Sequence, residues 1–186
     1  MEGWYSRMDK IENAIVFATM AHDKQARKLT NIPYITHPYH VGMLLLHAGC
    51  NEDIVCAGLL HDTVEDTDVT VQDLRNEFGD VIARLVDGCS EPNKNLPWEE
   101  RKQHTINYLM TASKDICMIV CADKLSNIRS IRKEEEVDGD IVWKKFNRGK
   151  DKQEWYYRGV ISSISRQLNG EPLLNDLIKE VEYLFS

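Results

Sequence analysis

The sequence predicts an all-α protein. Apolar residues recur at spacings of three and four along most of the chain. No segment alternates apolar and polar residues for a useful strand length, and Ser, Thr, Asn and Pro stand where helix starts need them. Met8, Ile11, Ala14, Ile15, Ala18 and Ala21 trace one face of a first helix. Gln25 to Thr36 reads as a loop holding Arg27, Lys28 and Asn31-Ile32-Pro33. A second helix starts near Pro38, a residue suited to a first turn, and stops at Gly49. Asn51 can cap a third helix, whose run Ile54-Val55-Cys56-Ala57-Gly58-Leu59-Leu60 reads as buried and which carries His61 and Asp62. Thr70-Val71-Gln72-Asp73 is a capping box with Asp in the place of Glu, opening a short helix to Gly79. A further helix is expected from Asp80 to Asp87.

Ser90 to Pro97 is a loop broken by Pro92 and Pro97, and Pro97 to Thr111 reads as helical. Ser113 can cap a long apolar helix that carries Asp123 and Asn127. Arg132 to Asp140 is expected to be a charged connector, with Glu134, Glu135 and Glu136 as a solvated face. Helical stretches then follow over 141–147, over 151–168 and after Pro172.

The length of 186 residues suits one domain, 1–186, with a core of its own. The net charge of −7 argues against a partner of nucleic-acid polymer, which asks for a basic face. It leaves room for an anionic small molecule, because a local cationic pocket or a metal dominates at contact distance. No run approaches the apolar length of a membrane span, and Met1 to Lys10 holds no apolar signal core. The five cysteines form no Cys-x-x-Cys pair, and their odd number suggests a reducing cytoplasm. Walker A, dinucleotide-fold, His-Glu-x-x-His and Gly-x-Ser-x-Gly motifs are absent.

The candidate chemistry lies in His61-Asp62-Thr63-Val64-Glu65-Asp66, at the end of the buried run. Polar groups there need partners, since burying them unpaired costs several kcal/mol, on the order of what folding leaves to spend. On a helix, His61 and Glu65 share one face, and Asp62 and Asp66 the next. An adjacent His and Asp can ligate one metal, and acids one turn on can handle water. His37 and Asp123 are further candidate ligands. Asp123 follows an apolar run and asks either for a cation site or for a salt bridge to Lys124 or Arg129. Ligands from facing helices can build a metal site inside a bundle.

His37, His61-Asp62 and Asp123, in that order in a helical chain, resemble the HD-domain metal-dependent phosphohydrolases. Gln25-Ala26-Arg27-Lys28, Pro33-Tyr34-Ile35-Thr36-His37-Pro38, Leu59-Leu60-His61-Asp62-Thr63-Val64-Glu65-Asp66-Thr67, Phe78-Gly79 and Ala122-Asp123-Lys124-Leu125-Ser126-Asn127-Ile128-Arg129 resemble the hydrolase domain of RelA/SpoT proteins and of small stand-alone alarmone hydrolases. The likeness covers about residues 10–165, and the C-terminal helix is expected to close the bundle.

The resemblance implies a helical bundle, Mn²⁺ as cofactor and removal of the 3′-pyrophosphate of ppGpp or pppGpp. It implies His37, His61, Asp62 and Asp123 as metal ligands, with Glu65 and Asp66 positioning and deprotonating the attacking water. It also implies Arg27 and Lys28 around the guanine, Asn127 near the ribose, and Lys152 and Tyr156 toward phosphate. A mixed imidazole–carboxylate set suits Mn²⁺ or Fe²⁺ over Mg²⁺, and Zn²⁺ also accepts it. Two other classes stay open. One is a phosphohydrolase on another nucleotide, such as NADPH or a deoxynucleotide. The other is a non-catalytic nucleotide-binding module, for which Glu65 and Asp66 would be superfluous. The expected partner is a small nucleotide, and a homo-oligomer is compatible with the sequence.

Overall fold

The computed structural model describes residues 9–27, 30–91, 95–146 and 148–186. Among them the fold is all-α, with one isolated antiparallel bridge between Ala26 and Pro33 in place of any strand. The chain divides into two compact units, Met1–Ser90 and Glu91–Ser186.

The first unit holds α1 (Lys10–Ala21), α2 (Thr36–His47), α3 (Glu52–Leu60), α4 (Thr63–Asp66) and α5 (Val71–Cys89). Capping follows local chemistry. Asp9 Oδ1 accepts from the Glu12 amide at 2.7 Å, and Asn51 Oδ1 from the Ile54 amide at 3.0 Å. The capping box of Thr70 and Asp73 forms in both directions. The central element is α3, packed by α1, α2 and α5, with every residue from Ile54 to Leu60 buried. A helical stretch buried all round must be apolar all round, and Ile54 to Leu60 is, after an acidic first turn at Glu52 and Asp53 that reaches solvent. The α2–α3 approach is close enough that a Cβ on Gly58 would stand 2.3 Å from Leu45 Cδ1. The helices expected on either side of Gly79 run together as α5, kinked at Gly79, whose φ of +85° favours glycine.

One expectation is corrected here. His61 and Asp62 do not continue the third helix. They form the junction between α3 and α4. His61 Nδ1 takes the Gly58 carbonyl at 2.7 Å, and the Thr63 hydroxyl donates to the Leu60 carbonyl at 2.7 Å. Side chains thus compete with the backbone for the last carbonyls of α3.

The second unit holds α6 (Trp98–Leu109), α7 (Lys114–Asp138), a 3₁₀ helix (Gly139–Lys145), α8 (Lys150–Ile164) and α9 (Pro172–Leu184). Ser113 caps α7, and Pro172 opens α9. Helix α7 is the hub, packed by α8, α9 and the 3₁₀ helix, while α6 lies on α8. The charged connector expected from Arg132 is instead the last turns of α7, which runs to Asp138. Its charges find partners: Arg129 pairs with Glu180 at 3.1 Å, Arg132 with Glu136, and Glu135 accepts from Trp143 Nε1 at 2.8 Å. Among the described residues no helix is long and apolar enough to cross a membrane.

Candidate metal and substrate site

In the first unit, His37 comes from the first turn of α2, and His61 and Asp62 from the α3–α4 junction. Both imidazoles are buried and stand edge to face, their ring centres 5.2 Å apart. His37 Nε2 lies 3.5 Å and His61 Nε2 3.1 Å from the same oxygen, Asp62 Oδ2. The hydrogen-bonding pattern decides what this means. His61 Nδ1 faces a carbonyl, which only accepts, so Nδ1 carries the hydrogen of the neutral ring. Its Nε2 lone pair then points at a carboxylate oxygen. Either a proton or a bound cation joins groups this close, and a buried imidazole–carboxylate set is a fitting donor set for a divalent metal.

Tyr34 steadies the carboxylate. Its hydroxyl donates to Asp62 Oδ2 at 2.6 Å and reaches Asp66 Oδ2 at 3.4 Å. Asp62 and Asp66 therefore converge, as expected for side chains one turn apart. Glu65 and Asp66 both sit on α4, Glu65 half-buried and Asp66 exposed. The loop that carries Tyr34 folds back on itself. The Tyr34 amide donates to the Gln25 carbonyl at 2.8 Å, and Gln25 Nε2 donates to the Asp66 carbonyl at 2.8 Å. The Arg27 guanidinium lies over the Tyr34 ring, 5.9 Å from its centre, so the structure brings Arg27 into this group. Lys28 lies outside the described residues.

In the second unit, Asp123 sits midway along α7, held on both oxygens. Lys124 Nζ bonds Oδ2 at 2.7 Å, and Asn127 Nδ2, one turn on, bonds Oδ1 at 2.6 Å. The salt bridge to Lys124 is thus real, while Arg129 turns to α9. Burial pulls the Lys124 ammonium down, but Asp123, then the Tyr156 phenol, carry it well above its ordinary value. Tyr156 is buried on α8 between two ammonium groups, Lys102 at 4.9 Å and Lys124 at 5.4 Å from its ring centre. Lys152 is exposed and lies over Trp155, 5.9 Å from that ring's centre.

A family model for the HD domain matches residues 14–146. The chain belongs to the HD-domain family. Within that family it is similar to a GTP pyrophosphokinase of Streptomyces coelicolor, 41% identical over 130 residues that make 68% of this chain and 15% of the relative. It is also similar to the guanosine-3′,5′-bis(diphosphate) 3′-pyrophosphohydrolase MESH1 of Homo sapiens, 37% identical over 69% of this chain and 73% of that protein. Among solved structures, a metazoan ortholog of SpoT, described as hydrolysing ppGpp, superposes with a TM-score of 0.78 at 26% identity, covering 95% of this chain and 96% of that one. The chain spans between 15% and 18% of the length of the first curated relatives it matches.

Sequence reasoning named His37, His61, Asp62, Glu65, Asp66, Asp123 and Asn127 as candidates, with a salt bridge from Asp123 to Lys124 as the alternative to a cation site. It did not single out Tyr34. The signal for Tyr34 was present: a phenol three residues before a candidate ligand, in a loop closed by Pro33.

Proposed function

We propose that the chain is a metal-dependent hydrolase that removes the 3′-pyrophosphate of ppGpp or pppGpp, giving GDP or GTP and pyrophosphate, in the cytoplasm. The observation that carries this reading is the meeting of His37 Nε2, His61 Nε2 and the Tyr34 hydroxyl on one oxygen of Asp62. It is a site built for a cation, next to two further acids, in a chain similar to named pyrophosphohydrolases.

In this reading the two units make one HD domain, with Asp123 as fourth ligand beside His37, His61 and Asp62, and with Mn²⁺ as the metal. A bound divalent ion supplies Lewis acidity toward a phosphoryl oxygen and lowers the pKa of water. The chain's own residues do the rest. Glu65 holds the attacking water by its carboxylate, and Asp66 accepts its proton. Tyr34 keeps Asp62 from rotating. Arg27 and Lys28 receive the guanine, Arg27 by stacking its planar guanidinium. Asn127 orients Asp123 and faces the ribose, and Lys152 and Tyr156 meet phosphate.

The test is a nucleotide panel with added Mn²⁺: ppGpp, pppGpp, NADPH and deoxynucleoside triphosphates, with products separated by ion exchange. Pyrophosphate and GDP from ppGpp are expected. Efficient hydrolysis of another nucleotide with ppGpp left intact overturns the reading.

A further inference from the structure

We infer that His22 and Gln25 are positioning residues: they hold Asp66, and with it the one-turn helix α4, in place for the hydrolytic step. The choice of step rests on the hydrolase reading, while the tether stands without it. Helix α4 is four residues long and carries Glu65 and Asp66. The Asp66 amide donates to the Asp62 carbonyl at 2.9 Å, and the Thr67 amide to the Thr63 carbonyl at 3.1 Å. A single turn is marginal by itself, and its last carbonyls have no partner within it. Gln25 supplies one from outside, Nε2 donating to the Asp66 carbonyl at 2.8 Å.

Gln25 is held in turn by His22, whose Nδ1 lies 2.9 Å from Gln25 Oε1. The Asp66 carbonyl only accepts, so the Gln25 amide nitrogen faces it and the amide oxygen faces His22. That oxygen also only accepts, so Nδ1 carries a hydrogen and donates it. His22 closes α1 and is 3% exposed, packed on Tyr34 with ring centres 5.0 Å apart. Its Nε2 is buried without a hydrogen-bond partner among the described residues. An apolar ring would fill the same space without burying an unpaired nitrogen, which is costly. What His22 offers over such a ring is the donor aimed at Gln25. The backbone between the two is bent to suit. Lys24 takes a φ of +63°, a left-handed conformation that a lysine rarely adopts, and the Gln25 amide donates back to the His22 carbonyl at 3.1 Å. The relay runs from the end of α1 through Gln25 to the backbone of Asp66, and neither of its two side-chain bonds ends on a candidate metal ligand.

The test compares Gln25→Leu, His22→Phe and His22→Asn with the unaltered chain, with metal content and thermal melts measured on each. Gln25→Leu and His22→Phe are expected to lower kcat for ppGpp about tenfold or more while KM stays within about twofold and the metal is retained, since misplacing a reacting group by on the order of 1 Å costs up to about 10²-fold. The double variant is expected to lose no more than Gln25→Leu, because both residues act through one chain of bonds. His22→Asn is expected to recover most of the rate, its amide nitrogen standing at the same remove from Cβ as Nδ1. Deuterium exchange at the Asp66 and Thr67 amides reads the tether without turnover. It is expected to quicken about fivefold or more in Gln25→Leu and His22→Phe, the scale of one lost hydrogen bond, and to return in His22→Asn. A role in packing alone would lower metal content, melting and kcat together, or be served as well by Phe as by Asn. Either result overturns the proposal, as does unchanged exchange. Gln25 is half-buried, so Gln25→Leu decides alone if His22→Phe does not fold. Quickened exchange in a chain that leaves ppGpp intact removes the hydrolase reading and keeps the tether. Turnover of ppGpp with kcat and exchange unchanged in Gln25→Leu does the reverse.

Discussion

Replacing Tyr34 by Phe removes one oxygen and leaves the ring, with its neighbours His22 at 5.0 Å and His37 at 6.0 Å between centres. The lost oxygen donates to Asp62 Oδ2 at 2.6 Å, a short bond to a carboxylate. Such a bond contributes about 1.5–3 kcal/mol when the acceptor is charged. The Asp62 side chain is 16% exposed, so water replaces part of the bond, and the lower end applies. About 1.5–2 kcal/mol corresponds to roughly 10–30-fold in an equilibrium constant. Divalent-ion affinity is therefore expected to fall by roughly that factor, in line with the loss of a hydrogen bond that orients a ligand. The assay is competition with a fluorescent chelator at fixed pH, alongside a thermal melt of each protein. Native-like melting with unchanged or tighter affinity would refute the idea that the phenol fixes Asp62.

His61→Ala and Asp62→Ala are each expected to abolish stoichiometric metal, read by elemental analysis after dialysis; full retention in both would remove them from the ligand set. Glu65→Gln and Asp66→Asn are expected to keep the metal but slow ppGpp turnover by on the order of 10² or more, measured at saturating substrate. Burial pushes the Cys56 and Cys121 thiols up to about 12 and Cys117 to about 11, from an ordinary value near 9. Because the unfolded chain then gives up these protons first, stability is expected to fall as pH rises from about 9, by up to about 1.4 kcal/mol per pH unit per thiol. Urea midpoints between pH 8 and 11 check the slope, and a flat profile would contradict the burial of these thiols.

Helix starts were legible wherever the cap is local. Asn51, Thr70 with Asp73, Ser113 and Pro172 each act through atoms within a turn, so their identity is enough. The last turns of α7 were not legible, because residues 132–138 look like a solvated charge run until Glu180 and Trp143 are brought to them from distant parts of the chain. The same holds at the site. His37, His61 and Asp62 announce themselves by type and place. Tyr34 acquires its role only when the loop reverses and Gln25 binds both the Tyr34 amide and the Asp66 carbonyl.

The burial of α3 on every side reaches beyond its own stability. Amides of a central, fully enclosed helix exchange with deuterium only when the whole cooperative unit opens, whereas ends and loops exchange through small local fluctuations. His61 is the residue at which that helix stops. His61 and Asp62 are therefore anchored to the stretch of backbone expected to exchange slowest, while the Tyr34 and Arg27 amides, each closed by a single loop hydrogen bond, are expected to exchange sooner. Deuterium uptake would then separate the two sides of the candidate site, slow at the end of α3 and faster at the Arg27 and Tyr34 amides.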